Sequence, residues 1–328
     1  MRKGLSVVIP NYNGIELFPQ TLPTVFDALK QIHIPFEVIV SDDCSSDDSL
    51  NYLKKNFPSV HIIQNETNSG FSVTANRGIW EANHDLVFLL NSDVKLEPEY
   101  FLNQFRYFDR PDTFGVMGRI IGWEDEQIQD GAKYPSFHSA KIKTSRNYLL
   151  CDEKAMNDGI YTTYLSGANA LMDRKKLLEM GGFNEIFSPF YVEDYELSLR
   201  AWRLGWKCYY EHAAVCRHRT STSIKSKSRK WFIKMISNRN KMYLHAIHLT
   251  PSWRLLWWIQ ILPEVLVQSI FLKTYYLKAF FLFLSNYSSV RASRRELLIL
   301  AGDRELLSVK QVAHFIQSSV KDLKLKFF

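Results

Sequence analysis

Four short runs of apolar, mostly β-branched residues punctuate the first ninety positions, and three of them stop on polar clusters. Leu5-Ser-Val-Val-Ile-Pro10 ends at Asn11-Tyr12-Asn13, and Phe36-Glu-Val-Ile-Val-Ser41 ends at Asp42-Asp43. Asp85-Leu-Val-Phe-Leu-Leu90 ends at Asn91-Ser92-Asp93, while Val60-His-Ile-Ile-Gln64 lies between. The stretches Leu17 to Lys30, Ser49 to Asn56 and Val73 to Asn83 have helical spacing. Strands that alternate with helices predict an α/β fold around a mostly parallel, buried sheet. Ligands of such sheets bind outside the carboxyl ends of the strands. Three polar clusters at those ends therefore predict a site, against the plainer reading of Asn and Asp as turn formers.

The rest of the chain is patterned less evenly. Residues 110–160 predict loops and an irregular excursion. Thr162 to Met172 reads as a strand, after which Asp173 can cap a helix that closes at Gly181-Gly182. A further helix is expected from Val192 through Leu204, ending at Gly205. After Thr250 the sequence becomes aromatic, from Trp253, Trp257 and Trp258 to Phe283 and Tyr287. Pro263 is expected to break this segment, and Glu264, Lys273 and Lys278 interrupt it, so it is too short in apolar run to span a bilayer. Gln260, Glu264, Gln268, Tyr275 and Lys278 fall on one stripe of a helical wheel. The wide face rich in Trp and Phe predicts an interfacial helix lying on anionic lipid. Docking of these aromatics on the preceding domain, or a homodimer contact, is the alternative.

Composition narrows the classes. The 328 residues are 46% hydrophobic and 23% charged, which excludes global disorder. Four widely spaced cysteines are too few for a disulfide scaffold or a structural zinc site. A strand-like run from Leu5 leaves no secretory signal in the sequence, so a reducing, cytoplasmic compartment is expected. The formal charge of +7 is local. His212 to Pro263 holds ten basic residues and no acid, whereas the remainder carries 31 basic against 34 acidic residues. The basic stretch, running through Arg217, Arg219, Lys225 and on to Lys241 and Arg254, fits an anionic membrane surface or a diphosphate. A solvated basic loop is the plain alternative. No recognition motif accompanies it, so a nucleic-acid partner is not expected.

Several residues can carry chemistry. A carboxylate at a strand end, as at Asp42-Asp43, can bind a nucleobase N–H or ribose hydroxyls. Asn68-Ser69-Gly70-Phe71 followed by Asn76-Arg77-Gly78 reads as a turn entering a helix, where Gly70 permits close backbone approach to an anion. It is neither GxGxxG nor GxxxxGK[ST], which disfavours a dinucleotide site and excludes a P-loop. Asp93 can hold a hard divalent cation together with diphosphate oxygens, or simply close an Asx turn. Glu193-Asp194 opens a helix whose N-terminus would keep Asp194 an anion, suited to accept a proton; an N-terminal capping acid is the plain alternative.

The ordered set of segments resembles family two inverting glycosyltransferases of GT-A fold. The similarity runs through Val7-Val8-Ile9-Pro10-Asn11-Tyr12-Asn13, Val38 to Asp47, Asn68 to Gly78, and Leu89-Leu90-Asn91-Ser92-Asp93-Val94. It continues through Ser166 to Met172, Gly181-Gly182-Phe183-Asn184-Glu185 and Glu193-Asp194-Tyr195-Glu196-Leu197, about two-thirds of the chain. The resemblance implies a nucleotide-sugar transferase domain over residues 1–220, a Rossmann-like mostly parallel sheet flanked by helices. A basic, aromatic-rich helical region would follow over 221–328 as a membrane-surface or interface element. Asp42 would bind the base, and Pro10, Asn11, Asn13, Asp43, Asn68, Gly70, Asn76, Arg77, Asn91 and Ser92 would frame the donor. Asp93 would coordinate Mg²⁺ or Mn²⁺, with His218 as a further ligand. Asp194 would be the catalytic base, and Glu193, Arg217 and Arg219 would serve the diphosphate and acceptor.

One departure matters. Asn91 replaces the first acid of the family's DXD motif, so a single carboxylate remains there and more of the leaving-group charge falls to basic residues. Members resembling rhamnosyltransferases share the NxD form. The expected activity is inverting transfer from a nucleotide-sugar to a glycan or lipid-linked acceptor in surface polysaccharide synthesis, at the inner face of the cell membrane. A non-catalytic nucleotide-sugar binding module at the membrane is the alternative that Asn91 leaves open.

Overall fold

The computed structural model describes residues 4–143, 146–219 and 227–328. The first half follows the sequence pattern closely. Strands β1 (Leu5–Asn11), β2 (Phe36–Asp42), β3 (His61–Gln64) and β4 (Leu86–Leu90) alternate with helices α1 (Phe18–Lys30), α2 (Ser49–Asn56) and α3 (Phe71–Glu81). Short β5 (Val94–Leu96) follows directly. β1 lies parallel between β2 and β4, and β3 extends the parallel set beyond β2. Every residue of β4 is buried, as expected of a strand covered on both faces.

Residues 110–160 depart from expectation, because they contain a long central strand, β6 (Thr113–Gly122). Glycines interrupt its apolar pattern, and the fold supplies the reason for them. A Cβ on Gly115 would lie 2.6 Å from the Leu171 carbonyl, and one on Gly118 would lie 2.4 Å from that of Ala214. Glycine in a strand here marks close backbone approach rather than irregularity. The excursion beyond β6 is built from β7 (Ile128–Asp130), β8 (Ala132–Lys133), β9 (Ser136–His138), β10 (Lys141–Lys143), β11 (Asn147–Leu150), α4 (Glu153–Asn157) and β12 (Ile160–Tyr161).

The strand expected from Thr162 is shorter, β13 (Asn169–Asp173), since the Ser166-Gly167-Ala168 segment turns before it. Asp173 accepts the Lys176 amide at 3.0 Å and caps α5 (Arg174–Glu179). Helix α6 (Glu193–Arg203) and strand β14 (Lys207–His218) follow, the latter not anticipated by the sequence pattern. The main sheet runs β12-β14-β6-β13-β4-β1-β2-β3, with β13 antiparallel to both neighbours.

The last hundred residues are helical: α7 (Lys227–His248), α8 (Pro251–Ile270), α9 (Thr274–Ser285), α10 (Tyr287–Ala301) and α11 (Val309–Ser319), closed by β15 (Leu325–Phe327). Pro263 sits inside α8 and does not end it. The amphipathic orientation expected of α8 is also reversed. Trp257, Trp258, Phe280, Phe283 and Tyr287 pack on one another with ring centroids 5.1–6.4 Å apart, which makes the aromatic face a core. The polar stripe docks on the β9–β10 hairpin: the Gln260 side chain accepts from the Ala140 amide at 3.2 Å, and Glu264 pairs with Lys141. What remains exposed on α8 is aliphatic, including Leu255, Ile259, Leu262 and Leu266. Among the described residues no helix is long and apolar enough to cross a membrane.

Candidate active site

Parallel strands in register finish at one edge, and that geometry gathers the predicted residues. Asn11 pairs with Asp42 across β1 and β2, and Val8 pairs with Leu89 across β1 and β4. β13 sets Asn169 beside Leu90, so the turn before it runs along the same edge. There the Asn91 amide donates to the Ala168 carbonyl at 3.1 Å. The Gly167 amide donates to Asp194 Oδ2 at 3.4 Å. Asn91 and Asp194, far apart in the sequence, thus meet across the Ser166-Gly167-Ala168 turn.

The adjacent acids Asp42 and Asp43 have different tasks. Asp42 is fully buried and accepts from Asn11 Nδ2 at 2.8 Å and from the Ser45 amide at 2.9 Å. It does not line the cavity beside it, contrary to the expected role on a base, because its oxygens tie β1 to the Cys44-Ser45 turn. Asn13 holds the same turn from the other side, accepting from the Ser46 amide at 2.8 Å. Asp43 clamps the next loop by accepting from the amides of Ser69 and Gly70, each at 2.8 Å. Gly70 has φ +86°, and a Cβ there would lie 2.7 Å from Pro189 Cα. Glycine is required on both counts.

These contacts frame a cavity of about 290 Å³ lined by Pro10, Asn11, Asp43, Asn68 and Gly70 of the predicted set. Tyr12, Phe71, Phe190 and Arg229, which sequence reasoning did not single out, complete its walls. Arg77 lies behind it, donating to Asn65 Oδ1 at 2.8 Å, and Asn65 in turn donates to Asp43. Asn76 was expected to frame the donor, but it is buried away from this cavity. Its amide bridges to the backbone of Phe183 at 2.7 and 2.9 Å and to Glu185 at 2.9 Å, fastening α3 to the segment after Gly181-Gly182. It faces instead a larger cavity of about 760 Å³ between α3, α5 and α10, which none of the other expected site residues line.

Asn91, Ser92 and Asp93 are half-buried in the turn between β4 and β5. Asp93 Oδ1 is buried with no hydrogen-bond partner, and Oδ2 lies 3.5 Å from His218 Nε2. An orphaned carboxylate oxygen beside an imidazole fits a hard divalent cation whose other ligands are diphosphate oxygens and water. Among the described residues no three His, Cys, Asp or Glu side chains converge as a metal cage. β14 delivers His218 by pairing with Val94 of β5. Arg217, expected on the diphosphate, is held elsewhere by Glu97 at 2.7 Å and Glu126 at 2.6 Å, so its charge is already balanced. Arg219 is exposed, and its amide donates to the Asp93 carbonyl at 3.1 Å. Lys225 lies outside the described residues.

Glu193 and Asp194 head α6, and Val192 before them adopts φ +76°. A β-branched residue in the left-handed region is a backbone outlier of the sort that clusters at functional sites. The loop 187–191 leading into it is gripped by α7, where Asn240 Nδ2 donates to the carbonyls of Phe187 at 2.6 Å and Tyr191 at 2.8 Å. Arg239 donates to the Ser188 carbonyl at 2.6 Å. Part of the basic tract is therefore structural.

Burial raises the proton affinity of Asp194, and the amides of Tyr195 and Gly167 with the Lys133 ammonium only partly offset it. Burial thus opposes the helix-end stabilisation expected for the Asp194 anion. Glu193 is pushed further, to about 8, by burial and by the Asp194 charge. Its Oε2 has no hydrogen-bond partner. Burial and the like charge favour retention of a proton by the pair, while the N–H donors at Asp194 favour the anion there. Lys133, buried and in contact with Asp130, is the nearby amine; burial lowers its proton affinity to about 7, and the Asp194 carboxylate works against that. It comes from the excursion whose pattern carried no signal.

Comparison with known proteins identifies the family and the fold. The model of glycosyl transferase family 2 matches residues 6–181. Putative teichuronic acid biosynthesis glycosyltransferase TuaG of Bacillus subtilis is 26% identical over 65% of this chain and 88% of its own length. The undecaprenyl-phosphate 4-deoxy-4-formamido-L-arabinose transferase of Proteus mirabilis is 36% identical, but over only 29% of this chain and 30% of that protein. In fold, GalNAc-T7, solved with UDP, GalNAc and Mn²⁺, superposes with a TM-score of 0.64 at 14% identity, covering 98% of this chain and 57% of that one. The mannosyltransferase PcManGT of Pyrobaculum calidifontis, solved with GDP-Man and Mn²⁺, gives 0.54 at 13% identity over 98% and 81%. With more than half of the chain matched by the family model, this protein is a member of glycosyl transferase family 2 with a GT-A-type fold.

Proposed function

We propose that the protein transfers a sugar, a hexose or close relative, from a nucleoside-diphosphate donor to an acceptor hydroxyl with inversion, in synthesis of a surface polysaccharide or lipid-linked glycan. The observation that carries this reading is the convergence of the Asp93 loop and the Asp194 carboxylate on one turn beside the 290 Å³ cavity. The nucleoside would occupy that cavity against Asp43, Tyr12 and the Asn68-Ser69-Gly70 backbone. Asp93 and His218 would hold Mg²⁺ or Mn²⁺, which when bound offsets diphosphate charge. Arg219 and Arg229 would add fixed positive charge near the departing nucleoside diphosphate.

Asp194 would take the proton of the acceptor hydroxyl as its oxygen attacks the anomeric carbon. A base whose proton affinity is raised by burial matches that task better than an ordinary carboxylate. Neutral Glu193 beside it keeps a second negative charge away from the site. The division into a transferase domain, 1–220, and a helical element, 221–328, is proposed as a division of roles, and its boundary falls outside the described residues. The helical element would rest peripherally on the inner face of the cell membrane, bringing the site to a lipid-linked acceptor.

A donor screen that reads released nucleoside diphosphate, with and without Mn²⁺, tests the reaction class. With the best donor, Asp194→Asn is expected to lose about 10²–10⁴-fold in kcat, the range of general-base catalysis. Turnover near that of the unmodified protein would reject Asp194 as the base.

A further inference from the structure

Away from the sheet edge, α8 and α10 enclose a cavity of about 390 Å³ whose lining includes four arginines, Arg254, Arg291, Arg294 and Arg295, and no carboxylate. Like charges so gathered repel unless something anionic joins them. One of the four has a structural partner: Arg294 donates to the carbonyls of Ile247 at 2.7 Å and Leu249 at 2.9 Å. Arg254 Nη1 is buried with no hydrogen-bond partner. Arg291 and Arg295 are exposed, and neither makes a hydrogen bond or ion pair among the described residues. Burial and the Arg254 charge both depress the proton affinity of Arg294, as expected where cations are uncompensated. Glu296 does not relieve them, because it lines the larger cavity on the other side of α10.

The apolar surroundings indicate what brings the anion. Leu255, next to Arg254, opens the exposed stripe that continues through Ile259, Leu262, Leu266 and Ile270, the last two 67% and 78% exposed. Leu298 of the cavity wall is itself 53% exposed. Trp258 bridges the two features, half-buried and 6.2 Å in centroid distance from Tyr287 of the lining. An aliphatic stripe beside an arginine pocket matches the acyl–headgroup boundary, where chains and phosphates lie within a few ångströms of each other.

We propose that this pocket binds the phosphate of an anionic lipid headgroup while the α8 stripe enters the acyl boundary, so that the protein reads lipid charge as well as lipid surface. This deepens the membrane-surface part of the proposed function and rests on it, but it does not involve the transfer site. Guanidinium groups suit it because their fork-shaped donors bind phosphate oxygens in pairs.

Flotation of the full chain with vesicles tests it. Vesicles of phosphatidylcholine with about 30% phosphatidylglycerol should retain the protein, and phosphatidylcholine alone should not. The double variant Arg291→Glu/Arg295→Glu should lower partitioning to the anionic vesicles by about tenfold or more, each cation near an anionic surface being worth about 1 kcal/mol. Its melting temperature and its transfer to a soluble acceptor should be unchanged. Inorganic phosphate should compete better than chloride of equal ionic strength. Leu266→Ser should weaken binding without removing the preference for anionic lipid.

Equal retention of the double variant and the unmodified protein would overturn the proposal, as would equal binding to both vesicle types. So would phosphate-dependent thermal stabilisation without vesicle binding, or a dimer that the double variant dissociates in the absence of lipid. Loss of transfer in Asp194→Asn bears only on catalysis, so the two readings can fail separately.

Discussion

Two carboxylates at the head of α6 share one buried space, and their surroundings decide which keeps the proton. Glu193 holds it up to about 8 against an ordinary 4.5, so the fold binds that proton more tightly than the unfolded chain does. Its contribution to stability is therefore complete below about pH 4.5 and is lost as pH rises through 8. The neutral isostere Glu193→Gln should match the unmodified protein in urea unfolding near pH 5. It should become the more stable of the two by up to about 5 kcal/mol near pH 9. Parallel stability profiles would mean that Glu193 is ionised throughout. Lys133 acts on the same pair from the opposite sign. Removing its charge in Lys133→Met takes away a field that favours the Asp194 anion, so the acidic limb of kcat/KM should move to higher pH. An unmoved limb with only a lower melting temperature would confine Lys133 to its ion pair with Asp130. Nothing in the sequence pointed to Lys133, since it acquires its role only when the excursion folds back over α6.

At the scale of elements, legibility followed the source of the signal. β1 to β4 were readable because burial on both faces leaves an unbroken apolar run and the polar residues collect at the strand ends. β6 was not, because close approach to β13 and β14 demanded glycines that look like loop residues. The aromatic helices were located correctly but turned inside out: a wheel shows two faces and does not say which one meets protein. Pro263 was tolerated because its side of α8 is exposed, although proline interrupts the ladder of a helix interior. Among the predicted residues, Asp43, Asp93 and Asp194 do come together near the carboxyl edge of the sheet. Asn76 and Arg217, however, carry the same polar character into purely structural contacts. α7 supplies a further test of how elements cooperate. Asn240→Ala removes the amide that ties the 187–191 loop to α7. A stability loss of about 1–3 kcal/mol is expected for the unsatisfied carbonyls. If the loop positions Glu193 and Asp194, kcat should fall while donor KM changes little. A lower melting temperature with unchanged kcat would limit Asn240 to stability.

For the whole molecule, the charge of +7 averages an acid-based transferase site with a cationic helical end, yet the two are bound into one structure. The Ile142 amide donates to His245 of α7 at 2.8 Å, and Glu264 of α8 pairs with Lys141. Phe315 of α11 meets Tyr161 and Trp202 with centroids 5.1 and 5.8 Å apart. The chain then returns to pair β15 with β11. Contacts of this burial predict that stability is coupled across the proposed boundary near residue 220. Trp257, 1% exposed in the helical core, makes that coupling measurable. Trp257→Ala should cost about 3–5 kcal/mol as a large-to-small core change. If the molecule unfolds as one unit, hydrogen exchange at the β1 and β4 amides, far from Trp257 in sequence, should accelerate by the full equivalent of that loss. If the helical region opens independently, those amides should keep their protection while only α8 and α9 exchange faster. The first outcome is the one the threaded topology requires, because opening the helices also strips β15 from β11 and α11 from α6, the helix that Asp194 heads.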